Sequence, residues 1–313
     1  MKLNSNIKKG VAIALLLFGG TLAAQQDLMV SQYMFSGHFL NPAYAGSHDY
    51  ANLTVLGRKQ WVGFAGSPLS TYMSFDMPLK EKKIGFGGLI SNDFIGVTNR
   101  TDVAGTFSYH LKIGAKAKLA VGIRAGVTYY TAKLSDLIYW DQQDAVFQND
   151  IKGKVLPNSG LGVYFYLPRF YAGISVPNVI NYKPGTAIAL GITDAPHLER
   201  HYFATAGVVI PAGTNLEIKP ALLVKYLPNA PIQADFNLNF LFYKTLWVGG
   251  SYRTGDGIQG MVEYQATEKL RVGYAYDFAF TSMNQYNSGS HEIMIAWDFI
   301  KEEKIRYRSP RFF

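Results

Sequence analysis

The sequence contains no cysteine. Disulfides, thiolate metal sites and a lipid-modified cysteine behind an export signal are therefore excluded. Long apolar runs are almost as scarce. The one candidate, Val11 to Phe18, is too short for a membrane-spanning helix, which needs roughly twenty residues. It follows Met1-Lys2 and Lys8-Lys9 and precedes Gly19-Gly20 and Ala23-Ala24, the order of charged, apolar and small residues expected of a cleaved signal peptide over 1–24. Excess charge is also modest. The formal +8 falls to about +5 once Lys2, Lys8 and Lys9 leave with that peptide. No cluster of Lys and Arg with interleaved aromatics precedes the C-terminal end, so a nucleic-acid partner is not expected.

Recognisable catalytic constellations are lacking too. His38, His48, His110, His197, His201 and His291 form no helical pair around a glutamate, and His197 and His201 sit beside Pro196 in a loop-to-strand region. Ser108 and His110 share one strand face, a coincidence expected among many alternating strands. The expectation is no enzyme, no cofactor and no metal.

What the chain does have is glycine, tyrosine and alternation. From Ile232 to Phe242 the even positions are Ile232, Ala234, Phe236, Leu238, Phe240 and Phe242, against Gln233, Asp235, Asn237, Asn239 and Leu241. A strand separates these two sets, whereas a helix would mix them. The same separation runs through Leu216–Tyr226 and Asp102–Lys112. About fourteen such segments are legible, near 51–61, 69–78, 83–91, 101–112, 118–131, 159–167, 169–176, 201–210, 215–226, 231–243, 245–254, 257–266, 269–278 and 290–299. Their connections alternate between tight turns, such as Gly114-Ala115-Lys116 and Pro168-Arg169, and long loops, above all 132–158, 177–200 and 279–289. A soluble sandwich has no reason to keep that parity. A transmembrane antiparallel up-and-down β-barrel does, with its short turns periplasmic.

The expected organisation is a signal peptide over 1–24 and a periplasmic lead-in or plug over 25–48. A transmembrane barrel over 49–299 and a basic periplasmic tail over 300–313 follow. Trp61, Tyr72, Tyr109, Tyr129, Tyr226, Tyr243, Trp247, Tyr252 and Trp297 fall where interfacial girdles would sit. Pro220 lies within a strand, where a bulge or register break is expected.

Charged residues on the polar faces are Arg58, Asp76, Asp102, Arg124, Glu217, Lys219, Lys225, Asp235, Arg253, Glu263, Arg271, Asp277, Glu292 and Asp298. Facing lipid, each would cost roughly 2–4 kcal/mol near the midplane, so they should point inward. Mixed signs there favour paired networks and a narrow or plugged lumen over a wide porin channel. Two segments are candidates for partner binding. The loop after residue 132 carries Tyr139-Trp140, Asp141 and Asp144, and either binds cargo or folds over the mouth. The tail carries Arg306, Arg308, Arg311 and Phe312-Phe313, and serves as a docking segment, as a signal to the barrel-assembly machinery, or as a plain tail tucked into the rim.

Several stretches resemble the PorP/SprF family of Bacteroidetes outer-membrane proteins associated with type IX secretion. They run from Gln32-Tyr33-Met34 and Asn41-Pro42-Ala43-Tyr44-Ala45-Gly46 through Arg58-Lys59-Gln60-Trp61-Val62-Gly63-Phe64 to Gly173-Ile174-Ser175-Val176-Pro177-Asn178. Lys219-Pro220, Leu246–Arg253, Gly273-Tyr274-Ala275-Tyr276-Asp277 and His291-Glu292 follow. The resemblance implies a barrel that supports protein export or the surface anchoring of cargo, tied in some relatives to gliding adhesins. Its implied partners are other secretion components of the outer membrane and periplasm, a secreted or surface-anchored cargo protein, and membrane lipid. The alternative is a FadL-like or porin-type barrel for small molecules.

Overall fold

The computed structural model describes residues 29–79, 83–136, 150–180, 200–228 and 230–300. The strands are β1 (Ala51–Lys59), β2 (Leu69–Leu79), β3 (Ile84–Ile95), β4 (Thr98–Lys112), β5 (Lys118–Ala132), β6 (Ile151–Leu167), β7 (Phe170–Val176) and β8 (Tyr202–Val208). β9 (Ile210–Pro211), β10 (Leu216–Tyr226), β11 (Gln233–Phe242), β12 (Leu246–Arg253), β13 (Gly257–Gln265), β14 (Leu270–Ala279) and β15 (Ser290–Phe299) complete the set. Each pairs antiparallel with its neighbours, and β8 and β9 are two pieces of one strand against β10, so the wall has 14 strands. The ring closes where β1 pairs β15, from Ala51 opposite Phe299 to Lys59 opposite His291. Closure is what hydrocarbon demands, since an open edge would leave backbone groups unpaired where no water can reach them.

Facing follows the alternation. Val103, Phe107 and Tyr109 point outward between Asp102, Thr106, Ser108 and His110, which are buried. In β11 Leu238 is 46% exposed and Asn239 is 0%. Of the charges expected to point inward, all are buried except Glu217 and Lys225, which lie toward the two ends of β10 and are half-buried. Two aromatics depart from the expected girdle. Tyr72 and Trp247 face inward, because each lies on the polar-face parity of its strand and meets a phenylalanine from the N-terminal segment at 5.2 and 5.8 Å between ring centres.

The connections keep the expected parity with two exceptions. One rim carries turns such as Pro168–Arg169 and Tyr243–Thr245, the latter with Tyr243 and Lys244 both at positive φ, as a tight hairpin's twist requires. The opposite rim carries the long connections, but β12 and β13 are joined by Thr254–Asp256, and β3 and β4 meet across Gly96–Val97 alone. These two strands and β6, which starts at Ile151 instead of 159, outrun their expected ends. Their outer portions, such as Ser91-Asn92-Asp93 and Asn99-Arg100, are polar on both faces and leave the alternation that lipid imposes. An extra residue in β6 near Gly153, at φ 64°, forms a bulge against β5. Pro220 produces an interruption but no slip. The β8–β9 strand breaks at Val209, while the register against β10 is the same on both sides and the β10–β11 ladder runs through unbroken. The missing N–H thus removes ladder bonds toward one neighbour only.

Candidate functional site: the filled lumen

Inside the ring lies the chain's own N-terminal arm, residues 29–48. Val30 to Ala45 are buried except for Gly37, although they belong to no strand. Three short 3₁₀ turns, Tyr33–Phe35, Gly37–Phe39 and Pro42–Tyr44, shape the arm. Each has a local cause. Asn41 caps the third, its side-chain oxygen accepting from the Ala43 N–H at 2.9 Å, and Pro42 starts it with a preset φ.

The arm begins near the long-loop rim and ends at the short-turn rim. Its first residues meet the upper ends of β1, β12, β14 and β15. The Ser31 hydroxyl donates to Asp277 at 2.8 Å and accepts from Arg58 at 3.0 Å, and the Ser31 and Gln32 N–H groups donate to Glu292 at 2.9 and 2.8 Å. Descending, the Asn237 amide donates to the Tyr33 hydroxyl, and Lys219 donates to the Met34 carbonyl at 3.0 Å with its ammonium 5.8 Å from the ring centres of Phe35 and Trp247. The chain then crosses the lumen. Arg124 donates to the carbonyls of His38 and Phe39, and His38 Nδ1 lies 2.7 Å from the Ser74 hydroxyl.

Residues 41–46 run down the wall of β2 to β7. Asn41 donates to the Val163 and Ile174 carbonyls, at 3.0 and 3.4 Å, and Ser175 donates to that of Leu40 at 2.8 Å. Two glycines make the contact this close. A Cβ on Gly122 would lie 2.3 Å from the Ala43 nitrogen, and one on Gly85 would lie 1.9 Å from the Ala45 carbonyl oxygen. Ser108 and His110, the pair noted in the sequence, both turn to that Ala45 oxygen at 2.6 and 2.9 Å, and His110 Nδ1 is 2.9 Å from the Tyr166 hydroxyl. Here they fasten the arm. The Gly46 N–H donates to Asp76 at 2.9 Å.

The remaining interior charges pair across strands. In the upper half Arg58 meets Asp277 at 2.7 Å and Glu292 at 3.2 Å, and Arg253 grips Asp235 through Nε and Nη2 at 2.9 Å. Lower down, Arg271 lies 3.0 Å from Glu263 and 3.7 Å from Asp298. Such opposite-charge pairs rigidify a wall and weaken the field that an open pore would present to permeants.

Sequence reasoning found the inward charges but not the path of the arm, whose contacts join residues more than 100 positions apart. Of the candidate partner-binding residues, Tyr139, Trp140, Asp141 and Asp144 lie outside the described residues, as do Arg306, Arg308, Arg311, Phe312 and Phe313. So does the expected signal peptide. The base of the first loop is described: Asp150 accepts from the Ser135 N–H and hydroxyl at 3.0 and 2.8 Å.

Among solved structures, the toluene transporter TbuX of Ralstonia pickettii is similar at 11% identity and a TM-score of 0.50, over 84% of this chain and 92% of that one. The CymD monoaromatic hydrocarbon channel matches at 12% identity and a TM-score of 0.49, over 87% and 94%. Outer membrane protein Omp33 of Acinetobacter baumannii matches at 11% and 0.45, over 80% and 98%. Likeness at such identities speaks to the fold alone. No curated protein sequence matches the chain. A family model for the type IX secretion system membrane protein PorP/SprF matches residues 22–297. The chain therefore belongs to the PorP/SprF family of type IX secretion system membrane proteins, as an integral β-barrel of the outer membrane.

Proposed function

We propose that this barrel acts through protein–protein contacts, supporting type IX export or holding exported cargo at the cell surface, and that small-molecule transport is not its main task. The observation that carries the reading is the lumen filled by residues 29–48 and fastened to strands on both sides of the ring. A transport barrel needs a continuous path with sites weak enough to leave. This interior is occupied by the arm and by the ion pairs around it, which leaves the rims and loops as working surfaces. Partners on this reading are other secretion components and a secreted or surface-anchored protein, with lipid around the wall. The Tyr139–Asp144 loop and the Arg306–Phe313 tail are the proposed docking segments, on the strength of their aromatic and charged composition.

The test is affinity purification of the tagged barrel from its native envelope in mild detergent, with bilayer recordings of the purified protein alongside. The reading expects secretion components and an exported protein to co-purify, and a barrel that stays predominantly closed. A barrel that purifies alone and holds a large, steady conductance overturns it in favour of a porin.

A further inference from the structure

The wall behind the first half of the arm gathers several buried polar side chains. On β11, β12 and β13 the inward residues Asn237, Ser251 and Gln259 stand directly opposite one another, and Asp277 continues the row on β14. One row below, Asn239 faces Gly249, and Glu263 lies further toward the short-turn rim. All five of Asn237, Asn239, Ser251, Gln259 and Glu263 are more than nine-tenths buried. Among the described residues, both amide atoms of Asn239 and of Gln259, the Ser251 hydroxyl, Asn237 Oδ1 and Glu263 Oε2 make no hydrogen bond. Buried polar groups without partners cost about 1–3 kcal/mol each, and folded proteins hold few of them. Here they concentrate in the two rows below the Arg253–Asp235 pair, where Met261 is the apolar neighbour, with Glu263 beyond them in a row whose other inward members, Leu241 and Trp247, are apolar. The arm residues that descend along this side of the lumen are mainly apolar: Tyr33, Met34 and Phe35.

The ionic groups at the top of this wall are arranged so that the arm can leave. Asp277 and Glu292 hold the Ser31 and Gln32 groups, but each also pairs with Arg58 at 2.7 and 3.2 Å, and Arg253 lies 3.7 Å from Asp277. Withdrawal of the arm would strand no carboxylate without a cation. Lys219, which is fully buried, would gain water.

We propose that residues 29–36 are a movable gate, and that the Asn237–Ser251–Gln259 face with Asn239 and Glu263 is the wall of a latent aqueous path carrying water and small ions when the gate swings out. Residues 41–46 stay docked as its anchor. In the open state this face is hydrated, which is what a porin-like lumen wall presents to its channel. The inference stands apart from the protein-handling role, since it concerns the lumen and not the rims.

The experiment uses the full barrel in planar bilayers with potassium chloride, its folding checked by heat-modifiable migration. Deleting residues 29–36 is expected to raise the mean conductance at least about tenfold, the shift that follows from removing a gate closed most of the time. Adding Asn239→Leu and Gln259→Leu to that deletion should cut the conductance severalfold. Phe35→Asp, which drives the gate toward water without shortening the chain, should open the barrel part of the time. A folded deletion variant that does not conduct overturns the proposal, and so does conductance indifferent to the two leucines. If neither the deletion variant nor Phe35→Asp yields a folded barrel, residues 29–36 are a structural core and not a gate.

Discussion

The two halves of the N-terminal arm rest on opposite walls and are held by different physics. Residues 41–46 lie against glycines, close enough that a methyl group at Gly85 or Gly122 would overlap their backbone. Residues 29–36 lie against longer side chains and are held by ion-pair members that have partners of their own on the wall. A contact fitted at the level of backbone tolerates no enlargement. A contact made through side-chain hydrogen bonds is lost piecemeal, at about 1 kcal/mol per bond.

The contrast is most exposed to failure at Gly122. Gly122→Leu is expected to abolish assembly, seen as complete loss of the heat-modifiable species in the outer-membrane fraction; a normally folded Gly122→Leu barrel would erase the distinction. Asp76→Ala comes next. It leaves the buried Gly46 N–H without an acceptor and should cost about 1–3 kcal/mol, read as a lower urea midpoint of the purified barrel. The smallest effect belongs to Ser31→Ala. The direct Arg58–Asp277 pair survives it, so the loss should be about 1 kcal/mol with the barrel fully assembled. A penalty for Ser31→Ala as large as that for Asp76→Ala would mean that both halves are equally fixed.

Most of the wall was legible in the sequence because lipid enforces one rule on every strand, apolar outward and polar inward, and the rule leaves a period of two. Where strands project beyond the hydrocarbon the rule lapses, and the outer ends of β3, β4 and β6 escaped notice. The arm was legible as a non-strand segment ahead of β1, a lead-in or a plug, but not in its path. Its positions answer to individual partners such as Arg124, Asn237 and Lys219, and no periodicity links Gln32 or Asn41 to walls that lie far along the chain. Tyr72 and Trp247 teach the same lesson: their aromatic character suggested an interfacial girdle, but the parity of their own strands placed them inside.

Closure of the ring through β1 and β15 bears on how anything can leave it. Nine residue pairs join the first strand to the last, and two side-chain ties reinforce them from within: Arg58 to Glu292 at 3.2 Å in the upper half, and Asn52 to Asp298 at 2.8 Å in the lower. This seam is where a barrel grown from one chain would have to part to release a polypeptide sideways into the bilayer. Parting it would expose unpaired strand edges to hydrocarbon and break both ties at once. The first and last strands are thus joined as continuously as neighbours in sequence, and the seam serves as a weld.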